Sequence, residues 1–143
     1  MTMKRINSIL LIEDDPITNY INQRLITKLE IAKDVQVAVN GEEALAMILN
    51  RIQNNKTCPH LIFLDINMPV MDGFEFLERF RRLDFPDKDK IVIVMLTTST
   101  HIQDMDKLGS FGNSELIGKP LNREKLLAVT RKYFDFIEFS KTA

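Results

Sequence analysis

The chain has one cysteine, Cys58, so no disulfide can form within it and it sets no redox requirement on its surroundings. No base is suggested beside Cys58 to activate the thiol, which reads as a small filler near a strand entry. No excess of either charge is present: the formal net charge is −1, which argues against a general nucleic-acid or anionic-membrane surface. No apolar run approaches the ~18 residues of a membrane span. The stretch from Met1 to Ile12, with Lys4-Arg5 ahead of apolar residues, is too short for a secretion signal and runs into Glu13-Asp14-Asp15. The expected compartment is the cytoplasm. Internal repeats, low-complexity segments and linkers are missing as well. The 143 residues are expected to form one domain over 1–143, with a core of about 7–134 and no room for a second.

Short apolar runs alternate with helical patterns. Strands are predicted over about Ser8–Ile12, Val35–Val39, Leu61–Leu64, Ile91–Leu96 and Leu116–Gly118. Helices are predicted over about Pro16–Leu29, Glu42–Ile52, from after Asp72-Gly73 to about Arg82, Thr100–Leu108 and Asn122–Phe139. In the first helix, Ile17, Tyr20, Ile21, Leu25 and Leu29 recur at helical spacing and are assigned to the buried face. In the second, Ala44, Leu45, Ile48 and Leu49 point inward, and in the third Phe74, Leu77 and Phe80 do so. Alternation of β and α implies a doubly wound α/β fold: a parallel sheet with helices on both faces and right-handed crossovers.

Chemistry gathers at the carboxyl ends of the strands, where open α/β sheets bind ligands. Asp65 ends the run Leu61-Ile62-Phe63-Leu64, and Glu13-Asp14 end Ile9-Leu10-Leu11-Ile12. Asp15 followed by Pro16 reads as a helix cap, which needs one acid and leaves Glu13 and Asp14 unexplained. Asp65 precedes its helix by too much to cap it. Three crowded carboxylates bind protons too well unless a cation relieves them. Oxygen donors without histidine or thiol suit Mg²⁺, and the Asn67 backbone carbonyl can add another. A carboxylate can accept a phosphoryl group, with catalysis coming from positioning and charge neutralisation. Thr97, ending the third long run, can donate to a phosphoryl oxygen, and Lys119 can pair with phosphate. Each has a plainer reading: Thr97-Thr98-Ser99-Thr100 as a helix start with Thr100 and Gln103 as a capping box, Lys119-Pro120 as a turn.

The segments LLIEDDP, LIFLDINMPVMDGFEFL, VIVMLTTS and GKPL, in that order, resemble the receiver domain of two-component response regulators, the chemotaxis-regulator type, over about 7–134. The resemblance implies a five-stranded flavodoxin-like sheet of order 2-1-3-4-5. It implies Asp65 as phosphoacceptor, Glu13, Asp14, Asp65 and the Asn67 carbonyl around Mg²⁺, Thr97 as switch hydroxyl and Lys119 as phosphate partner. It also implies a cis Lys119–Pro120 bond and a histidine kinase or histidine phosphotransfer protein as phosphodonor. Relatives of this type place Tyr or Phe three residues before the lysine, where this chain has Leu116.

A phosphoacceptor signalling protein, not an enzyme of turnover, is the resulting expectation. Its output would be an unidentified protein target, with no nucleic acid and no membrane. A phosphorylation-independent docking module of the same fold is the alternative. A Mg²⁺-dependent phosphatase of the haloacid-dehalogenase kind wants Asp-x-Asp, and here Asn67 takes the second place. A flavodoxin-like FMN binder wants a Ser/Thr/Gly-rich loop where the acids stand. On the last helix Leu126, Thr130, Phe134 and Ile137 are assigned to the sheet. Val129, Tyr133, Phe136 and Phe139 form a second stripe, which either packs on a neighbouring helix or the N-terminal segment, or serves a homodimer or target interface beside Leu116.

Overall fold

The computed structural model describes residues 5–68, 70–98 and 114–134. Its strands are β1 (Ile6–Ile12), β2 (Ala32–Ala38), β3 (Leu61–Asp65), β4 (Val92–Thr97) and β5 (Ser114–Gly118). Its α-helices are α1 (Pro16–Leu29), α2 (Gly41–Gln53), α3 (Gly73–Arg82) and α4 (Arg123–Tyr133), with a short 3₁₀ turn at Lys88–Lys90. The five strands form one sheet of order β2-β1-β3-β4-β5, every neighbouring pair parallel. The doubly wound, flavodoxin-like architecture is therefore as expected. The predicted helix at Thr100–Leu108 lies outside the described residues.

The central strands β1, β3 and β4 are apolar on both faces because helices cover both. Leu10, Ile12, Ile62, Leu64, Ile93 and Met95 pack on one side with Ala44, Ile48, Phe76, Leu77 and Phe80 from α2 and α3. Ile9, Leu11, Phe63, Val94 and Leu96 pack on the other with Ile26 of α1 and Leu126 and Val129 of α4. Each fully buried aliphatic or aromatic side chain contributes roughly 1.5–3 kcal/mol against exposure. The edge strand β2 is only half-buried and reaches back to Ala32; it ends at Ala38, leaving Val39 exposed rather than inside the strand.

Each of the four α-helices among the described residues starts on an Asp or Asn. Asp15, Asn40, Asp72 and Asn122 each accept a backbone N–H from the first turn that follows. Such caps stabilise a helix by about 1 kcal/mol and fix where each helix leaves its strand. Gly73 has a further reason to be glycine. A Cβ there would lie 2.9 Å from the Ile66 Cα and 3.0 Å from the Asp65 carbonyl oxygen. The first turn of α3 is thus pressed against the end of β3.

Several expected faces are corrected. On α1, Ile17, Tyr20 and Ile21 are 68%, 59% and 55% exposed, whereas Asn19, Asn22 and Ile26 are buried. Leu25 and Leu29 are half-buried against the core. Leu49 of α2 is exposed, and Phe76, unassigned from sequence, is fully buried in α3. On α4, Leu126, Thr130 and Phe134 are buried as expected. Val129 is buried with them and Tyr133, half-buried, packs partly on the same cluster, so for these two the packing alternative holds. α4 closes at Tyr133 with Phe134 as its C-terminal cap; Phe136, Ile137 and Phe139 lie outside the described residues.

Candidate phosphoacceptor and metal site

Glu13 follows β1, Asp65 ends β3, Thr97 ends β4 and Lys119 follows β5. Parallel registers put these ends at one edge: Ile12 lies opposite Leu64, Asp65 opposite Leu96 and Thr97 opposite Gly118. The edge then closes around charge. Carboxylate oxygens of Glu13, Asp14 and Asp65 lie within 4.8 Å of one another. Lys119 reaches in from the β5 end, its Nζ 2.9 Å from Asp65 Oδ1 and 3.1 Å from Glu13 Oε1. Three carboxylates face one ammonium, so an excess of negative charge remains.

Backbone contacts hold the acids. The Glu13 N–H donates to the Ala38 carbonyl at 3.0 Å. The Glu13 carbonyl accepts from Asn19 Nδ2 at 2.9 Å, and Glu13 Oε2 accepts from the Asp15 N–H at 3.2 Å. Asp65 Oδ1 accepts from the Asn67 N–H at 3.1 Å. Asp65 and Glu13 are buried, at 3% and 6% exposure, while Asp14 is exposed. Lys119 donates its own N–H to the Thr97 carbonyl. The Lys119–Pro120 bond is cis, and Lys125 Nζ brackets it, bonding the carbonyls of Gly118 at 2.7 Å and Pro120 at 3.0 Å. Thr97 is buried next to this turn.

Burial raises the Glu13 carboxyl from 4.5 to about 7; the Asp14 and Asp65 carboxylates add to the rise, against the pull of the Asp15 N–H and Lys119. Burial works to lower Lys119, but the Asp65 and Glu13 carboxylates outweigh it and raise its pKa. A half-buried ammonium is thus held charged by two acids. The cluster offers only oxygen donors, which fits a hard divalent cation, and it carries the negative excess that such a cation offsets.

The site contains residues that sequence reasoning had not assigned. Asn19 and Lys125 clamp the backbone on either side of the cluster. Val70, between Asp65 and the α3 cap, has φ 71 and is 73% exposed. A β-branched residue in that region costs of order 1–3 kcal/mol, which strained loops at functional sites tolerate. Nothing in the sequence singled out Asn19, because α1 also carries the amides Asn22 and Gln23.

The sequence matches the response regulator receiver domain family over residues 9–131. The chain belongs to this family. It is 30% identical over 125 residues to a probable C4-dicarboxylate response regulator, DctR, of Halalkalibacterium halodurans, covering 87% of this chain and 50% of that one. The chain thus spans about half the length of the first relatives of that name, and far less of the hybrid histidine kinases it also matches. Among solved structures, a two-component response regulator from Cytophaga hutchinsonii superposes with a TM-score of 0.81 at 28% identity, over 92% of this chain and 99% of that one. The Vibrio cholerae chemotaxis protein CheY4 superposes at 0.74 with 27% identity, over 90% and 99%. The protein carries a receiver domain of the two-component type, a family of signalling proteins that bind Mg²⁺ and interact with histidine kinases or phosphotransfer proteins. Among the described residues, no helix of this receiver is long and apolar enough to cross a membrane.

Proposed function

We propose that Asp65 of this receiver domain accepts a phosphoryl group from a phosphohistidine on a histidine kinase or histidine phosphotransfer protein, and that the phosphorylated domain signals by binding a protein target. The observation that carries this reading is the buried Asp65 carboxylate, ion-paired to Lys119 at 2.9 Å inside an acidic cluster. A structural ion pair alone has no use for Glu13 and Asp14 beside it. The Asp65 carboxylate attacks phosphorus; a P–O bond forms, the P–N bond breaks, and the imidazole leaves with the electron pair. Mg²⁺, held by Glu13, Asp14, Asp65 and the Asn67 carbonyl, would neutralise phosphoryl oxygens. Lys119 exchanges its contact with Asp65 for one with the incoming phosphoryl group. Thr97, one strand away, donates its hydroxyl to the same group and couples it to β4.

A protein donor is supported by exposed apolar side chains on the segments that follow the acids, Ile17 and Ile21 on α1 and Val70 after β3. A small acyl phosphate gains nothing from them, whereas a helical partner carrying the histidine buries them. Leu116 is half-buried against the core opposite Met95, so the read-out does not use a swinging aromatic ring at that position.

The test is phosphorylation with Mg²⁺ and either acetyl phosphate or a phosphohistidine protein, followed by mass measurement. Wild type is expected to gain one hydroxylamine-sensitive phosphoryl group, and Asp65→Asn none. Uptake by another residue in the variant refutes the assignment. Undiminished target binding by Asp65→Asn would favour a docking module that works without phosphorylation.

A further inference from the structure

Two amide side chains occupy the inner face of α1, where packing alone would place apolar ones. Asn19 and Asn22 are 6% and 5% exposed. Asn19 spends its Nδ2 on the carbonyl of Glu13 at 2.9 Å, six residues back and across the turn that carries the acids. Its Oδ1 is buried with no hydrogen-bond partner among the described residues. An unpartnered buried acceptor costs about 1–3 kcal/mol, set here against the bond that the same amide makes to the Glu13 carbonyl.

The bond's target explains the choice. The Glu13 carbonyl belongs to the peptide joining Glu13 to Asp14, the two acids that leave β1. On its other side Glu13 is tied to Ala38 through its own N–H. Asn19 thus holds the carbonyl of the Glu13–Asp14 peptide while Ala38 holds the N–H of the peptide before it, and the carboxylates of both acids lie with that of Asp65 within 4.8 Å of one another. We infer that Asn19 is a positioning residue for cation binding: it locks the Glu13–Asp14 peptide so that both carboxylates meet one ion. Groups that orient ligands without touching the metal typically account for about 10–100-fold in affinity. The bond is in keeping with the rotation of α1, which turns Asn19 and Asn22 inward and Ile17, Tyr20 and Ile21 outward.

This inference rests on the metal-binding reading of the acids and is tested apart from it. Mg²⁺ is titrated into the full chain and followed by NMR shifts, and thermal unfolding is measured in EDTA. Wild type serves as the check on the reading itself: absence of Mg²⁺ binding there sinks the metal site, and Asn19's role with it. Given binding by wild type, Asn19→Leu is expected to weaken Mg²⁺ about tenfold or more, whichever way its metal-free melting temperature moves. Asn22→Leu, on the same inner face but without the bond to the acid turn, is expected to bind Mg²⁺ as wild type does. Asn19→Ala supplies the measurement if leucine prevents folding. A lower melting temperature with wild-type Mg²⁺ affinity in the Asn19 variants makes the bond merely structural and overturns the inference. An equal loss of affinity in Asn22→Leu overturns it too.

Discussion

At the scale of the residue, Glu13 has the most to reveal, because its environment opposes its charge. Burial, then Asp14 and Asp65, raise its carboxyl from 4.5 to about 7. A carboxyl raised on folding favours the folded state fully below about 4.5, and that contribution is lost as pH rises through about 7. Metal binding needs the ionised form, so it runs the other way. The metal-free protein is therefore expected to lose stability between about pH 5 and about pH 8 relative to Glu13→Gln, which has no such proton to lose. Mg²⁺ affinity of wild type is expected to rise over the same window. Thermal unfolding in EDTA across pH, for the two proteins side by side, checks the first; an NMR titration checks the second. Parallel stability curves for wild type and Glu13→Gln would show that Glu13 titrates as an ordinary carboxyl.

At the scale of the element, α1 runs from the acid turn to an exposed face. Its cap residue Asp15 adjoins Asp14, and its outward face runs Ile17, Tyr20, Ile21, Arg24, Lys28. Arg24 bonds the Tyr20 hydroxyl at 3.1 Å and lies over its ring. The stripe is apolar next to the acids and basic further away, with no acid within the helix. A partner helix with an apolar ridge beside its histidine and acids beyond it complements both halves. Replacing Ile17 and Ile21 with serine is expected to slow transfer from a phosphohistidine protein tenfold or more, at roughly 1 kcal/mol or more per buried anchor. Acetyl phosphate, which needs no docking, should phosphorylate the variant at the wild-type rate. Equal slowing with both donors would place the two isoleucines in the fold and not in the interface.

At the scale of the whole molecule, the sequence and the structure part company for a physical reason. The central strands were legible because β1, β3 and β4 are buried on both faces and read as unbroken apolar runs. The site was legible because acids, threonine and lysine stand directly at those strand ends. The outward face of α1 was not: helical spacing finds an apolar stripe but cannot say which way it points when the inner face is given to Asn19 and Asn22. Val129 and Tyr133 follow the packing alternative left open for the second stripe, since α4 buries a wider arc than one stripe. What remains is a sheet whose strand ends meet in one charged cluster, with Lys119 as counter-ion from the β5 end. An ion shared by Glu13, Asp14 and Asp65 would tie β1 to β3 and stabilise the entire domain by linkage, about 2.7 kcal/mol at 100 times its Kd. For a domain of this size that raises Tm by several degrees, at roughly 2–8 °C per kcal/mol. Asp14→Ala relieves repulsion among the acids, so its metal-free Tm should equal or exceed that of wild type, while the Mg²⁺-induced rise should largely vanish. Calorimetric scans of both proteins in EDTA and in saturating Mg²⁺ decide it: a full Mg²⁺-induced rise in Asp14→Ala would mean that the cation is held without this carboxylate.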